Sequence, residues 1–153
     1  MRRRRARTRS FGFSLAVQSG VDLAQPDGAT SGVRLGLRFV ELLELSCGLH
    51  HFVAHLEPER ATVHDGMVRL GAGVSPRLFW RVEGYLGGSI GFGLRAISHQ
   101  ASLVAGLRVR LTPRWRVGIF PFNPTYSRYR VEEVLARRRS WTFPTTVQLS
   151  YTL

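Results

Sequence analysis

Apolar residues recur at every second position along most of this chain. In Ser102–Leu111 (SLVAGLRVRL), Leu103, Ala105, Leu107, Val109 and Leu111 share one face, while Ser102, Gly106, Arg108 and Arg110 share the other with Val104. Strand side chains alternate with period two, so both arginines lie opposite a continuous apolar stripe. Ser140–Leu153 repeats the pattern, with Trp141, Phe143, Val147, Leu149, Tyr151 and Leu153 on one face. Leu78–Leu94 sets Leu78, Trp80, Val82, Leu86, Ile90, Phe92 and Leu94 against Arg81, Glu83, Tyr85 and Ser89. Shorter alternations run over Phe11–Gln18, Val33–Val40, Leu43–His50, Met67–Val74 and Arg114–Ile119. The pattern predicts eight strands, each of about ten residues, a length suited to crossing a bilayer at a tilt.

The expected connections alternate between short and long. Tight turns are predicted near Glu41–Leu42, at Val74–Arg77 (VSPR) and at Leu111–Arg114 (LTPR). In the last two, Pro presets its φ and the preceding hydroxyl can bond local backbone. Longer loops are expected around Ser19–Thr30, His55–Gly66, Arg95–Gln100 and Phe120–Ser140. The last includes Val131–Arg139 (VEEVLARRR), read as a helical turn or two. This is an up-and-down meander with both ends of the chain on the short-turn side.

Two architectures fit such a meander. A soluble barrel turns its apolar face inward, whereas a membrane barrel turns it toward lipid and fills the lumen with polar side chains. The polar faces here are rich in Gly, Ser, Thr and Ala, which suits the narrow interior of an eight-stranded barrel. Arg34, Arg38, Glu44, Arg69, Arg81, Glu83, Arg108, Arg110 and Arg116 would then form a polar cluster in the lumen, with arginine in excess. Aromatic residues gather at strand ends on the apolar face, and Phe39, Trp80, Trp115, Trp141 and Tyr151 are the predicted interfacial girdle. The sequence therefore predicts an all-β fold, an eight-stranded antiparallel up-and-down transmembrane β-barrel over residues 11–153, preceded by a basic tail at 1–10.

Composition changes this picture only at the margins. The chain has 153 residues and a net charge of +12, and every one of its 22 basic residues is arginine. Six of them lie in Met1–Arg9, leaving +6 for the remainder. That run is expected to be a disordered basic arm, or to reflect a start of translation placed downstream of a true secretory signal. With a single cysteine, Cys47, the chain has no internal disulfide and no multi-cysteine metal site. Cys47 falls on the apolar stripe and reads as a small hydrophobe.

With this strand count, this alternation of turns and loops, and the final strand Val147–Leu153 (VQLSYTL), the chain resembles the small bacterial outer-membrane β-barrel proteins of the OmpA-transmembrane, OmpX and OmpW type. The final strand looks like the signal such proteins present to the barrel-assembly machinery, although here Leu153 stands where the family usually ends in an aromatic residue. The resemblance implies an outer-membrane location and contact with membrane lipid and lipopolysaccharide. It implies no particular activity, because the family includes anchors, adhesins, narrow pores and a few lipid-modifying enzymes.

The remaining chemistry is sparse, and the expectation is a monomeric, non-enzymatic protein with no catalytic residues, cofactor or metal. The histidines His50, His51, His55 and His64 suggest a metal cluster. Yet His51 and His55 on one strand face would lie about 13 Å apart. Ser98 and His99 fall in one of the expected loops, sequence neighbours on a strand would point to opposite faces, and no motif links them to an acid. Gly87–Gly93 (GGSIGFG) lacks the Lys-Ser/Thr end of a phosphate loop, so its glycines are expected to relieve crowding. The best-supported function is a structural or interaction role, with long loops touching lipopolysaccharide or external ligands. One alternative is a narrow small-solute channel. Another is a soluble basic barrel that binds a small ligand or nucleic acid, the latter through the basic arm and Phe120–Arg130 (FPFNPTYSRYR). Leu107→Arg is expected to block assembly, whereas Gly106→Ser on the opposite face should be tolerated.

Overall fold

The computed structural model describes residues 11–22, 29–39, 42–56, 61–130 and 139–153. The basic tail at 1–10 and the helical turn expected within Val131–Arg139 lie outside the described residues, apart from Arg139 itself. The described chain is strand almost throughout: β1 Phe11–Asp22, β2 Ala29–Phe39, β3 Leu43–Leu56, β4 Ala61–Val74, β5 Val82–Gly93, β6 Ile97–Arg110, β7 Trp115–Phe122, β8 Thr125–Tyr129, β9 Arg139–Thr142 and β10 Pro144–Thr152.

These ten segments make eight staves. β7 and β8 both pair with β6 and form one stave; β9 and β10 form the next. Every pairing is antiparallel, β1 pairs with β10, and the β5–β6 pairing closes the sheet on itself. The seventh stave breaks at Asn123–Pro124, just beyond a register shift between Ala105 and Leu107. There three residues of β7 span two of β6, which lets Pro121 and Pro124 enter a ladder to which neither can donate.

The apolar stripe faces outward. Leu49 is 68% exposed, Leu35 64% and Leu103 59%, whereas the interior Glu83 and Arg108 are 2% and 3% exposed. Cys47 is exposed on the same outer face. This is the arrangement of a transmembrane barrel, with a polar interior and an apolar exterior.

Three sequence expectations change. Where they are described, the segments expected as long loops around Ser19–Thr30, His55–Gly66, Arg95–Gln100 and Phe120–Ser140 are largely strand. β1 and β2 continue to Asp22 and from Ala29, β3 and β4 to Leu56 and from Ala61, and only Leu94–Ala96 separates β5 from β6. The face rule inverts in this region. Phe52, Met67, Ile97 and Tyr129 pack inward as a small hydrophobic core, while His51 and His64 face out. A stripe that stays on one face therefore ends before its strand does. Second, Leu78–Arg81 is turn, not strand, and β5 starts at Val82. Third, Gly106 is not a tolerant position. A Cβ there would lie 2.7 Å from Phe120 Cα and 2.9 Å from Phe120 Cδ1.

Candidate functional site

The barrel interior is a polar enclosure, and its chemistry begins at the short-turn end. Glu44 opens β3 directly after the β2–β3 turn, opposite Arg38. Its carboxylate accepts hydrogen bonds from Arg34 and, across the lumen, from Arg108. Arg108 reaches it with both ends of its fork, Nη1 to Oε2 at 2.5 Å and Nη2 to Oε1 at 3.2 Å. Such charge-assisted pairs fix geometry as well as charge. Arg108 also donates to Ser75 Oγ at 3.3 Å and Gln148 Oε1 at 3.4 Å.

Glu83 holds a second network. It opens β5 and accepts from Arg110 at 2.7 Å and Arg38 at 3.1 Å, with Arg116 Nε at 3.7 Å. Arg110 and Arg116 are direct cross-strand partners. Like charges so placed repel unless an anion sits between them, and Glu83 occupies that position.

Above the ion pairs the lumen is blocked by two rings. Arg108 lies 4.1 Å from the centre of the Tyr85 ring, which meets Phe120 edge-on at 5.4 Å. Glycine makes room for both. A Cβ at Gly73 or Gly87 would fall 2.6–2.7 Å from Tyr85 Oη, and one at Gly118 would fall 2.7 Å from Phe120 Cζ. Gly87, the first glycine of the GGSIGFG run, thus clears space for a ring.

Two cavities lie in the lumen. A vestibule of about 170 Å³ at the short-turn mouth is lined by Arg38, Arg108, Arg110, Arg116, Glu44 and the hydroxyl-bearing Ser14, Ser150 and Thr152, among others. A space of about 30 Å³ in mid-barrel is lined by Gln18, Arg34, His50, Arg69, Tyr85 and Phe120, among others. Arg69 bonds to Gln100, which donates to Ser127 Oγ at 2.9 Å. The far end is stoppered by Phe52, Met67, Ile97 and Tyr129. Beside them, buried Asp65 accepts the backbone N–H groups of Arg95 at 2.9 Å and Ile97 at 2.7 Å.

Of the predicted lumen cluster, Arg34, Arg38, Glu44, Arg69, Glu83, Arg108, Arg110 and Arg116 line the interior. Arg81 does not. It sits exposed in the β4–β5 turn with its guanidinium 4.4 Å from the Trp80 ring. Asp65 was hidden by the loop expected there, and the obstructing role of Tyr85 and Phe120 had no signal beyond the surrounding glycines.

The predicted girdle residues divide between the two rims. Trp115 and Tyr151 pack at 4.9 Å at the short-turn end, where Arg114 donates to Tyr151 Oη at 3.0 Å. Trp80 is exposed in the nearby turn, and Phe39 ends β2 at the same rim. At the loop end, Trp141, Tyr126 and His99 form a row on adjacent staves, with ring spacings of 5.4 and 6.3 Å. Trp141 and Tyr151 are ten positions apart on one outward face. At about 3.3 Å per residue that is about 33 Å along the stave. A tilt of about 40° projects it to about 25 Å, the height of the apolar band of a membrane barrel.

Other candidate chemistry disperses. The rings of His51 and His64 approach to 5.7 Å on the outer surface, yet no group of three or more His, Cys, Asp or Glu among the described residues could hold a metal ion. Within Phe120–Arg130, Phe120, Ser127 and Tyr129 are buried inside while Arg128 is exposed outside, so the segment does not present its aromatic and basic residues on one surface.

No family model matches the chain, and no curated protein matches it either. Among solved structures it is similar to the N-terminal β-barrel domain of Pseudomonas aeruginosa OprF, with a TM-score of 0.62 at 13% identity over 93% of this chain and 97% of that one. It is also similar to a de novo designed transmembrane β-barrel, with a TM-score of 0.59 at 14% identity over 93% and 95% of the two chains. The likeness is one of fold.

Proposed function

We propose that this chain, which has the fold of the small outer-membrane β-barrels, is an outer-membrane protein with a closed lumen and a structural or interaction role. The observation that carries this reading is an apolar exterior banded by aromatic rims, around an interior plugged by the Glu44–Arg108 pair and by Tyr85 and Phe120. A channel function would need a continuous aqueous path. The mid-barrel space is only about 30 Å³ and is bounded by Tyr85 and Phe120, so the protein is expected to conduct no steady current in a planar bilayer. The folded protein should also fractionate with outer membranes and migrate differently on a gel before and after boiling. A stable open conductance would overturn the closed lumen, and unchanged mobility would overturn the closed barrel.

The loop-end rim supports contact with anionic lipopolysaccharide. Arg128 is exposed on β8, two residues beyond Tyr126 and thus about 7 Å further along the strand from the aromatic row. A basic side chain just outside an aromatic row is placed to meet anionic headgroups. One arginine near such a surface contributes about 1 kcal/mol. Arg128→Gln should therefore weaken association with lipopolysaccharide about fivefold and leave folding in neutral lipid unchanged. Equal loss in both lipids would count against this contact. The same reading assigns the chain no catalytic role and expects a monomer delivered by the barrel-assembly machinery.

A further inference from the structure

We propose that the short-turn vestibule is an oxyanion-binding site, with Arg110 and Arg116 as its principal ligands. The first observation is a local charge imbalance. Five guanidinium groups, those of Arg34, Arg38, Arg108, Arg110 and Arg116, share the two carboxylates of Glu44 and Glu83. Glu44 is engaged by Arg34 and by both arms of Arg108. Among the described residues, Glu83 serves Arg110 at 2.7 Å, and Arg116 reaches it only at 3.7 Å. Arg110 and Arg116 thus bring two positive charges to one carboxylate, inside a barrel whose walls face hydrocarbon.

The second observation is unused donor capacity. The Nε atoms of Arg108, Arg110 and Arg116 are buried without a hydrogen-bond partner. The Arg108 side chain is only 4% exposed and that of Arg116 only 11%. Buried donors left unmade are costly, and a bound anion toward which these side chains turn recovers that cost.

The third is room. On the measure by which one water needs about 10–15 Å³, the vestibule of about 170 Å³ holds a tetrahedral oxyanion with part of its hydration shell. Ser14, Ser150 and Thr152 line the same space and supply hydroxyl donors. Thr152 Oγ1 already meets Arg116 Nη1 at 2.5 Å. Planar guanidinium forks match phosphate, sulfate and carboxylate oxygens alike, so the class is a small oxyanion. It is either free in solution or carried on the end of a larger molecule, such as a lipid phosphate.

The test uses the folded barrel in a non-ionic detergent, with inorganic phosphate, sulfate or acetate titrated against chloride at matched ionic strength. Melting temperature and the phosphorus resonance of bound phosphate are the readouts. Phosphate should raise the melting temperature saturably where chloride does not. Arg110→Gln and Arg116→Gln should each weaken binding at least tenfold. Glu83→Gln removes the competing carboxylate and should strengthen it at least tenfold, an effect that a general loss of structure cannot imitate. Arg128→Gln, at the opposite rim, should leave phosphate binding unchanged. Saturable binding of inorganic phosphate in lipid-free micelles assigns a free anion. Binding seen only with micelles containing phosphatidylglycerol would assign a lipid headgroup. Identical responses to phosphate and chloride in both settings, or unchanged or weaker phosphate binding by Glu83→Gln, would overturn the site.

Discussion

Glu44→Gln should lower the stability of the folded barrel by about 3–5 kcal/mol, the usual cost of removing one partner from a buried ion pair. The substitution keeps the shape and removes only the charge. Arg34 and Arg108 would then share the lumen with no anion between them, and the Arg108 side chain is only 4% exposed. The reciprocal change should be milder. In Arg108→Gln the Glu44 carboxylate keeps Arg34, so no charge is stranded, and the loss is that of a hydrogen-bonded fork and its contact with the Tyr85 ring. Urea unfolding of the refolded protein in a fixed detergent measures both. Equal losses, or a larger loss for Arg108→Gln, would mean that Glu44 is not the shared counter-charge of this end of the lumen.

Why the sequence showed the lumen cluster and yet missed the loop end follows from where the hydrocarbon stops. Between the aromatic rims every outward position faces lipid, so Leu35, Leu49, Leu103 and Leu107 repeat on one face and the alternation is easy to read. Beyond the rim the outside is water. The inside can then be apolar, and Phe52, Met67, Ile97 and Tyr129 take it. The strand continues while its pattern inverts, which in a linear sequence looks like the end of a strand. Asp65 belongs to the same region. Its role, holding two backbone N–H groups of the β5–β6 hairpin, appears only once that hairpin is folded against it. Leu78–Trp80 misled in the opposite way. Their apolar side chains continue the stripe of β5, but they lie exposed in a turn beside the short-turn rim. Arg81 followed them out of the lumen. The pairing partners of the interior charges were not legible either, because Glu44 and Arg108 are 64 residues apart and meet only through closure of the barrel.

The adjacent pair Gly106 and Leu107 separates the two faces of a stave by mechanism. Leu107 is 52% exposed on the outer surface and pairs with Gly84 and Ile119. Leu107→Arg should cost about 2–4 kcal/mol if it sits near the bilayer midplane. Gly106→Ser should be costly too, about 1–3 kcal/mol from overpacking, because its Cβ meets backbone: the Ile119 carbonyl and Phe120 Cα. The two losses respond differently to their surroundings. The arginine penalty comes from hydrocarbon, so it should shrink in short-chain detergent and grow in a thick bilayer, whereas the serine penalty should be the same in both. Gly118 provides the internal control. A Cβ there meets only side chains, Phe120 and Arg108, so Phe120→Leu should rescue Gly118→Ala while leaving Gly106→Ser impaired. Should Gly106→Ser prove silent while Leu107→Arg is lethal, the close approach of β7 to β6 at the register shift would be wrong. Should Leu107→Arg lose the same stability in every lipid, the outer face would not be the one that meets hydrocarbon.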